Sequence, residues 1–123
     1  MTADFENPGK AVISPVSLAH VVLKTNNFAA MRDLYMTFLG ARASLEVPEQ
    51  FSFLTYDHEH HRVAIVNMPH LAKNDKSFTG LEHIAFTHAS LEDLAMAYLQ
   101  RKENGILPVW PVNHGPTTSI YYR

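Results

Sequence analysis

The chain lacks cysteine, a marked excess of one charge and any long apolar run, and each absence excludes a class of protein. Without cysteine there is neither a disulfide framework nor a thiolate metal site, a composition that fits a reducing cytoplasm. The formal net charge of -2 gives no electrostatic reason to expect nucleic acid or an anionic membrane as a partner. No stretch approaches the ~18 apolar residues of a membrane span. Residues 1–6 include Asp4 and Glu6 and are unlike a signal peptide. We therefore expect a cytoplasmic protein without a nucleic-acid or membrane partner.

What the sequence does contain is a repeat of short apolar segments, each with a histidine near its middle. Residues 18–23 read Leu-Ala-His-Val-Val-Leu and residues 81–86 read Leu-Glu-His-Ile-Ala-Phe, so that His20 corresponds to His83. A turn and an amphipathic helical pattern follow each segment at matching positions. Such a repeat indicates two similar halves related by approximate symmetry, which can bring equivalent residues together.

The predicted elements follow the same plan in both halves, joined by a polar linker over residues 68–80. The first half is predicted to contain a strand over 16–24, a helix over 28–39 that ends at Gly40, and strands over 43–47, 51–56 and 62–67. The second is predicted to contain a strand over 81–87, a helix from the Ser90 cap to Gly105, and strands over 107–112 and 117–123. Both faces of the first strand are apolar, so we expect it to be covered on both sides. The fold class is therefore α+β, with one strand fewer in the second half.

His20 and His83 are the candidate metal ligands, because imidazole is the commonest protein metal ligand and the repeat places the pair symmetrically. The alternative is two unrelated core histidines, each bonded to a backbone carbonyl. His114 stands in a turn before the last strand, where it is either an exposed loop residue or an acid/base at the mouth of the cleft. Tyr121 and Tyr122 alternate, so one of them points inward as core filler or as a hydrogen-bond partner for substrate.

The other histidines have simpler interpretations. His58, His60 and His61 cluster with two acidic residues between two predicted strands. Such a cluster either binds a metal adventitiously or forms a solvated hairpin turn, and its position between two strands favours the turn. Nothing is assigned to His70 or His88.

From about residue 16 to 123 the chain resembles the vicinal oxygen chelate superfamily of glyoxalases, bleomycin-resistance proteins and extradiol dioxygenases. The resemblance rests on residues 18–25, on residues 81–86, and above all on residues 110–123, which are similar to the small single-domain catechol 2,3-dioxygenase and biphenyl-2,3-diol dioxygenase-like proteins. It implies one domain of two βαβββ modules, about 15–68 and about 80–123, that form an open, barrel-like mixed sheet with the helices outside. It also implies a divalent metal, usually Fe(II), with Mn(II), Zn(II) or Ni(II) as alternatives.

The resemblance implies a role for each candidate residue. His20 and His83 match the histidine ligands, His114 matches the histidine that handles protons during ring cleavage, and Tyr121 matches the tyrosine that faces the substrate oxygens. Tyr122 takes that place if the register differs by one. The implied partners are a small aromatic diol, dioxygen and a second copy of the chain, because family behaviour and an exposed sheet edge both favour a homodimer.

The carboxylate ligand of the family lies on the last strand of the second module, which we expect to be missing here. A longer protein, a real loss of the strand, or completion of the site by a partner or solvent would each account for this. The implied function is a metal-dependent extradiol dioxygenase of catechol-type diols. The alternatives are a non-catalytic protein that binds or sequesters a small molecule, and a metal-dependent isomerase, epimerase or lyase on the same fold.

Overall fold

The computed structural model describes residues 3–75, 77–113 and 118–122. In chain order its elements are β1 (Val21–Thr25), α1 (Phe28–Leu39), β2 (Arg42–Val47), β3 (Phe51–Thr55), β4 (Val63–Asn67), α2 (Leu91–Glu103), β5 (Trp110–Asn113) and β6 (Thr118–Tyr121). The α+β class is confirmed, and the second half is less regular than the first.

The first half forms one four-stranded sheet in the order β1-β4-β3-β2. β1 runs parallel to β4 with Val21 opposite Val63, while β3 is antiparallel to both of its neighbours. A parallel neighbour needs a crossover connection, and α1 opens the segment that provides it. β4 is central and its first three residues are fully buried, which explains its uninterrupted apolar sequence.

Helix α1 ends where the sequence predicts. Gly40 adopts a left-handed conformation with φ 59°, and its N–H and that of Ala41 bond to carbonyls of the last turn. Asn27 occupies the cap position without a side-chain cap bond, while the Asn26 side chain donates instead to the carbonyl of Leu71.

The core lies between α1 and the sheet. Phe28, Leu54, Val63 and Ile65 are its buried members, and the half-buried Phe86 of the second half packs against them. Burial of one such side chain contributes roughly 1.5–3 kcal/mol, so this cluster fixes how α1 sits on the sheet. It also fixes the position of β4, the strand that follows the hairpin turn after β3.

The second half departs from its predicted plan at the start. The strand predicted over 81–87 is absent, since residues 81–88 have no regular secondary structure. The helix is as predicted: the Ser90 hydroxyl accepts from the Asp93 N–H at 3.0 Å, and Gly105 follows it with φ 78°. Among the described residues, β5 and β6 then pair with each other in a separate two-stranded sheet.

The short second sheet leaves the apolar face of α2 without a full covering. Leu91 and Leu99 are more than half exposed. An open groove of about 350 Å³ is lined by Leu91, Leu94, Ala95, Tyr98, Pro108, Pro111, Thr118 and Ile120. The sheet is consequently open rather than closed into a barrel. Within the described ranges no helix combines the length and apolar character needed to cross a membrane.

Candidate functional site

His20 lies just ahead of β1 and not within it, so the strand predicted over 16–24 is too long at its start. The ladder begins with Val21 opposite Val63, because β4 itself starts at Val63. The prediction that both faces are covered is also wrong, since Leu18 is 77% exposed and Val22 is 56% exposed. His20 is accordingly exposed at the strand entrance.

The parallel pairing of β1 and β4 brings a second imidazole to His20. Residues that precede two parallel strands in register lie at the same end of the sheet. The rings of His20 and His61 are therefore in contact, with centroids 4.1 Å apart and planes inclined at 45°. The His61 ring also stacks against the Phe53 ring, with centroids 4.5 Å apart. His61 is thus held between an aromatic side chain and His20.

The surroundings of His61 favour its neutral form. Desolvation lowers the pKa of His61, and the neighbouring imidazoles of His20 and His60 lower it further, while Glu59 acts in the opposite direction. The Nδ1 atoms of His60 and His61 lie 2.9 Å apart, so in the neutral pair one ring donates and the other accepts. A neutral imidazole can take up a proton or bind a metal.

The prediction of a solvated hairpin over residues 57–61 is therefore wrong in one respect. The segment does connect β3 to β4, and His58 is exposed as expected, with 84% of its side chain accessible. His61 instead packs inward. Part of the signal was in the sequence, since His61 and His20 each come shortly before an apolar strand. The parallel register that joins the two is not a local feature of the sequence.

His83 is exposed in the irregular segment that replaces the predicted strand. His70 is also exposed, and the Nδ1 atom of His88 is buried without a hydrogen-bond partner in the described part of the chain. The ring in contact with His20 is that of His61. The joint coordination of one metal by His20 and His83 stays a prediction.

Of the remaining candidates, Tyr121 lies in β6 and Tyr122 directly follows it. His114 falls outside the described residues. Tyr121 stacks on Trp110, its cross-strand partner, with centroids 5.7 Å apart. Tyr122 meets the edge of Phe38 at 4.8 Å and lies under the guanidinium of Arg101 at 5.1 Å. Its hydroxyl is buried and finds no partner among the described residues.

The histidine side chains are of the type that binds divalent metals, but the described residues do not bring together the three donors of a complete site. Exposed imidazoles such as those of His20 and His83 suit Fe(II), Mn(II), Zn(II) and Ni(II) alike. Across residues 3–75, 77–113 and 118–122, however, no group of three histidine, cysteine, aspartate or glutamate side chains could hold an ion. The described residues alone therefore do not form a facial triad of three protein ligands.

Two concave surfaces could receive a small molecule. One is the apolar groove over α2, and the other is a cleft of about 300 Å³ lined by Asn74, Phe78, Gly80, Leu81 and Glu82. Glu82, which lines the cleft, is the chain neighbour of His83. The cleft therefore lies beside one of the two predicted ligands, whereas the groove lies beside β6, which carries Tyr121.

The sequence has two curated relatives of named activity. It is 48% identical over 108 residues to biphenyl-2,3-diol 1,2-dioxygenase 3 of Rhodococcus globerulus, covering 86% of this chain and 56% of that protein. It is 44% identical over 106 residues to biphenyl-2,3-diol 1,2-dioxygenase 2 of the same organism, covering 85% and 55%. The chain thus spans about half the length of these relatives.

The fold has solved counterparts as well. A lactoylglutathione lyase from Agrobacterium tumefaciens superposes with a TM-score of 0.69 over 89% of this chain and 86% of that one, at 14% identity. At that identity the likeness concerns the fold alone. Residues 17–123 match the sequence model of the Glyoxalase/Bleomycin resistance protein/Dioxygenase superfamily. The chain therefore belongs to that superfamily.

Proposed function

We propose that this protein is a metal-dependent extradiol dioxygenase that opens the ring of a catechol-type aromatic diol. The observation that carries the proposal is the pair of contacting imidazoles, His20 and His61, at the open end of the parallel strands. Such a pair supplies both a metal ligand and a proton acceptor in one place. The similarity to two biphenyl-2,3-diol dioxygenases supports the same class of substrate.

Ring cleavage of a diol requires a base to take a hydroxyl proton and an acid to return one later. His61 is the proposed base, since its ring lies against His20 and a diol bound at His20 would meet it directly. His114 is the proposed acid/base for the later steps. Tyr121 is the proposed hydrogen-bond donor to a substrate oxygen. Tyr122, the alternative, already packs between Phe38 and Arg101, which favours Tyr121.

His20 and His83 are the proposed ligands of the metal, which we propose to be Fe(II). When bound, such an ion would hold the two oxygens of a diol and dioxygen side by side. Neutral imidazoles leave the charge of the ion largely uncompensated, so a carboxylate is needed as the third ligand. The described residues supply no carboxylate beside these histidines in a three-donor group, so we expect the third ligand from outside them, as from a partner subunit.

The test is anaerobic loading of the full chain with Fe(II), followed by a catechol or 2,3-dihydroxybiphenyl and then oxygen. The expected result is a yellow ring-fission product, with oxygen consumed in step with the diol. Absence of product across monocyclic and bicyclic diols, from protein shown to retain its iron, would contradict the proposal.

A second candidate is a non-catalytic protein that binds or sequesters a small molecule. It is favoured by one observation, the lack of a three-donor metal group in the described residues. A binder needs an apolar cavity and no metal, and the groove over α2 supplies one. Tight binding of an aromatic ligand by metal-free protein, without turnover after iron loading, would favour this candidate.

A further inference from the structure

We propose that Arg62 is a positioning residue that holds His20 and His61 together. The inference rests on the proposed function, because it concerns the geometry of a proposed metal ligand and its neighbouring base. Arg62 directly follows His61 in the chain and directly precedes β4. It is therefore the side chain best placed to join the two segments.

The Arg62 guanidinium binds two different partners at once. Its Nη1 donates to the backbone carbonyls of Leu18 and Ala19, at 3.2 and 2.9 Å. Its Nε donates to both carboxylate oxygens of Asp57, at 3.2 and 3.0 Å, and its Nη2 lies 2.9 Å from Oδ2. One end of this fork thus holds the backbone just before His20, and the other holds the hairpin that carries His61.

The segment before His20 needs such an attachment. The β1 ladder begins only at Val21, whose N–H donates to the carbonyl of Arg62 at 3.0 Å. Residues 17–20 have no regular secondary structure, and Leu18 is largely exposed. The two bonds from Nη1 tie this segment to the sheet.

The hairpin end of the fork is itself firmly anchored. The Asp57 carboxylate also accepts from the Glu59 N–H at 3.1 Å and from the hydroxyl of Thr55 at 3.3 Å. Thr55 is 1% exposed and belongs to β3. The fork therefore connects the His20 segment to a fixed point of the sheet, not to a freely moving loop.

A simpler interpretation is a surface ion pair, which contributes little to stability. The geometry argues for more, since a planar guanidinium has enough directed N–H groups for both partners, whereas a lysine ammonium is a single point charge. An ion pair of purely structural effect would change the melting temperature and leave the His20–His61 contact intact. The positioning role predicts that the contact itself is lost.

The experiment compares the full chain with Arg62→Gln, Arg62→Lys and Asp57→Asn, all free of metal and all with isotope-labelled histidine. The measured quantity is the nuclear Overhauser effect between the His20 and His61 rings. The matched control is Arg42→Gln, since Arg42 bonds to the carbonyl of Asp57 on the same hairpin. We expect the effect in the wild type and the control, its loss in Arg62→Gln, and its weakening in the other two variants.

A second readout is the affinity for Co(II), measured by calorimetry. Loss of a group that orients a metal ligand is expected to weaken metal binding by an amount similar to loss of a hydrogen-bond partner of that ligand, about 10- to 100-fold, and this is the fall expected for Arg62→Gln. An unchanged ring contact in a folded Arg62→Gln would overturn the positioning role, as would an unchanged cobalt affinity in a protein that binds cobalt. If Arg62→Gln does not fold, the deciding measurement is the His20–His61 ring contact in Asp57→Asn. A wild type that binds no cobalt would contradict the proposed function alone, and the ring contact would still judge Arg62.

Discussion

The imidazole of His61 lies against that of His20, with ring centroids 4.1 Å apart, at the end of the sheet where β1 and β4 both begin. This contact joins the segment that precedes β1 to the hairpin between β3 and β4. It is the relationship from which the proposed chemistry follows, because it puts a proton acceptor beside a candidate metal ligand.

Replacement of His61 by alanine should slow ring cleavage strongly. A positioned general base contributes about 10²- to 10⁴-fold to a rate, so kcat of the iron-loaded protein should fall within that range. The control is His58→Ala, which removes an exposed histidine of the same hairpin. A His61→Ala protein with the turnover of the wild type would exclude His61 as the base.

Acid should destabilise the hairpin through Asp57. The hydrogen bond from Arg62 is the main cause that lowers the pKa of the Asp57 carboxyl below its ordinary value of 3.8. A carboxyl whose pKa is lower in the folded state stabilises the fold above its unfolded pKa and loses that effect as the pH falls through the folded value. Melting temperatures measured from pH 5 downwards should therefore fall more steeply below about pH 4 for the wild type than for Asp57→Asn. Parallel curves would contradict this account of Asp57.

Much of the first half, and helix α2 of the second, could be predicted from sequence because the signals are local. The apolar stripe and Gly40 are enough to define α1, and Ser90 defines the start of α2, since caps and helical periodicity act within one turn. Strand boundaries within β2, β3 and β4 differ from the prediction by one residue at most.

The rest depends on pairing between distant segments. The contact of His20 with His61 arises from the parallel register that places Val21 opposite Val63. The local sequence around neither histidine specifies this register. The apolar residues 81–87 have the composition of a strand, but β-propensity is decided by neighbours, and this segment forms no strand. Phe86 instead packs on the core of the first half.

Arg101 should stabilise the contact between the two halves. It is 5% exposed, its Nε donates to the carbonyl of Phe38 at 2.9 Å, and its guanidinium lies 3.7 Å from the Phe38 ring centroid. Arg101→Met removes both interactions and should lower the free energy of unfolding in urea by about 1–3 kcal/mol. Lys102→Met, at an exposed position one residue along, is the control and should have little effect. Equal stability of the two variants would contradict this role.

Tyr122→Phe should leave ring cleavage unchanged and raise stability. The hydroxyl of Tyr122 is buried without a hydrogen-bond partner in the described residues, and removal of such a group relieves a desolvation cost of about 1 kcal/mol. Tyr121→Phe, by contrast, should slow ring cleavage. Steady-state kinetics and urea unfolding of both variants test this. A slow Tyr122→Phe beside an unaffected Tyr121→Phe would transfer the substrate contact to Tyr122.

The most direct test of the account is the iron content of three variants loaded anaerobically with Fe(II) and freed of loose metal. We predict one tightly held Fe(II) per chain in the wild type and in the His58→Ala control. We predict its loss in both His20→Ala and His83→Ala, because each would remove one of the two proposed imidazole ligands. Wild-type iron content in either of these two variants would contradict the shared metal site.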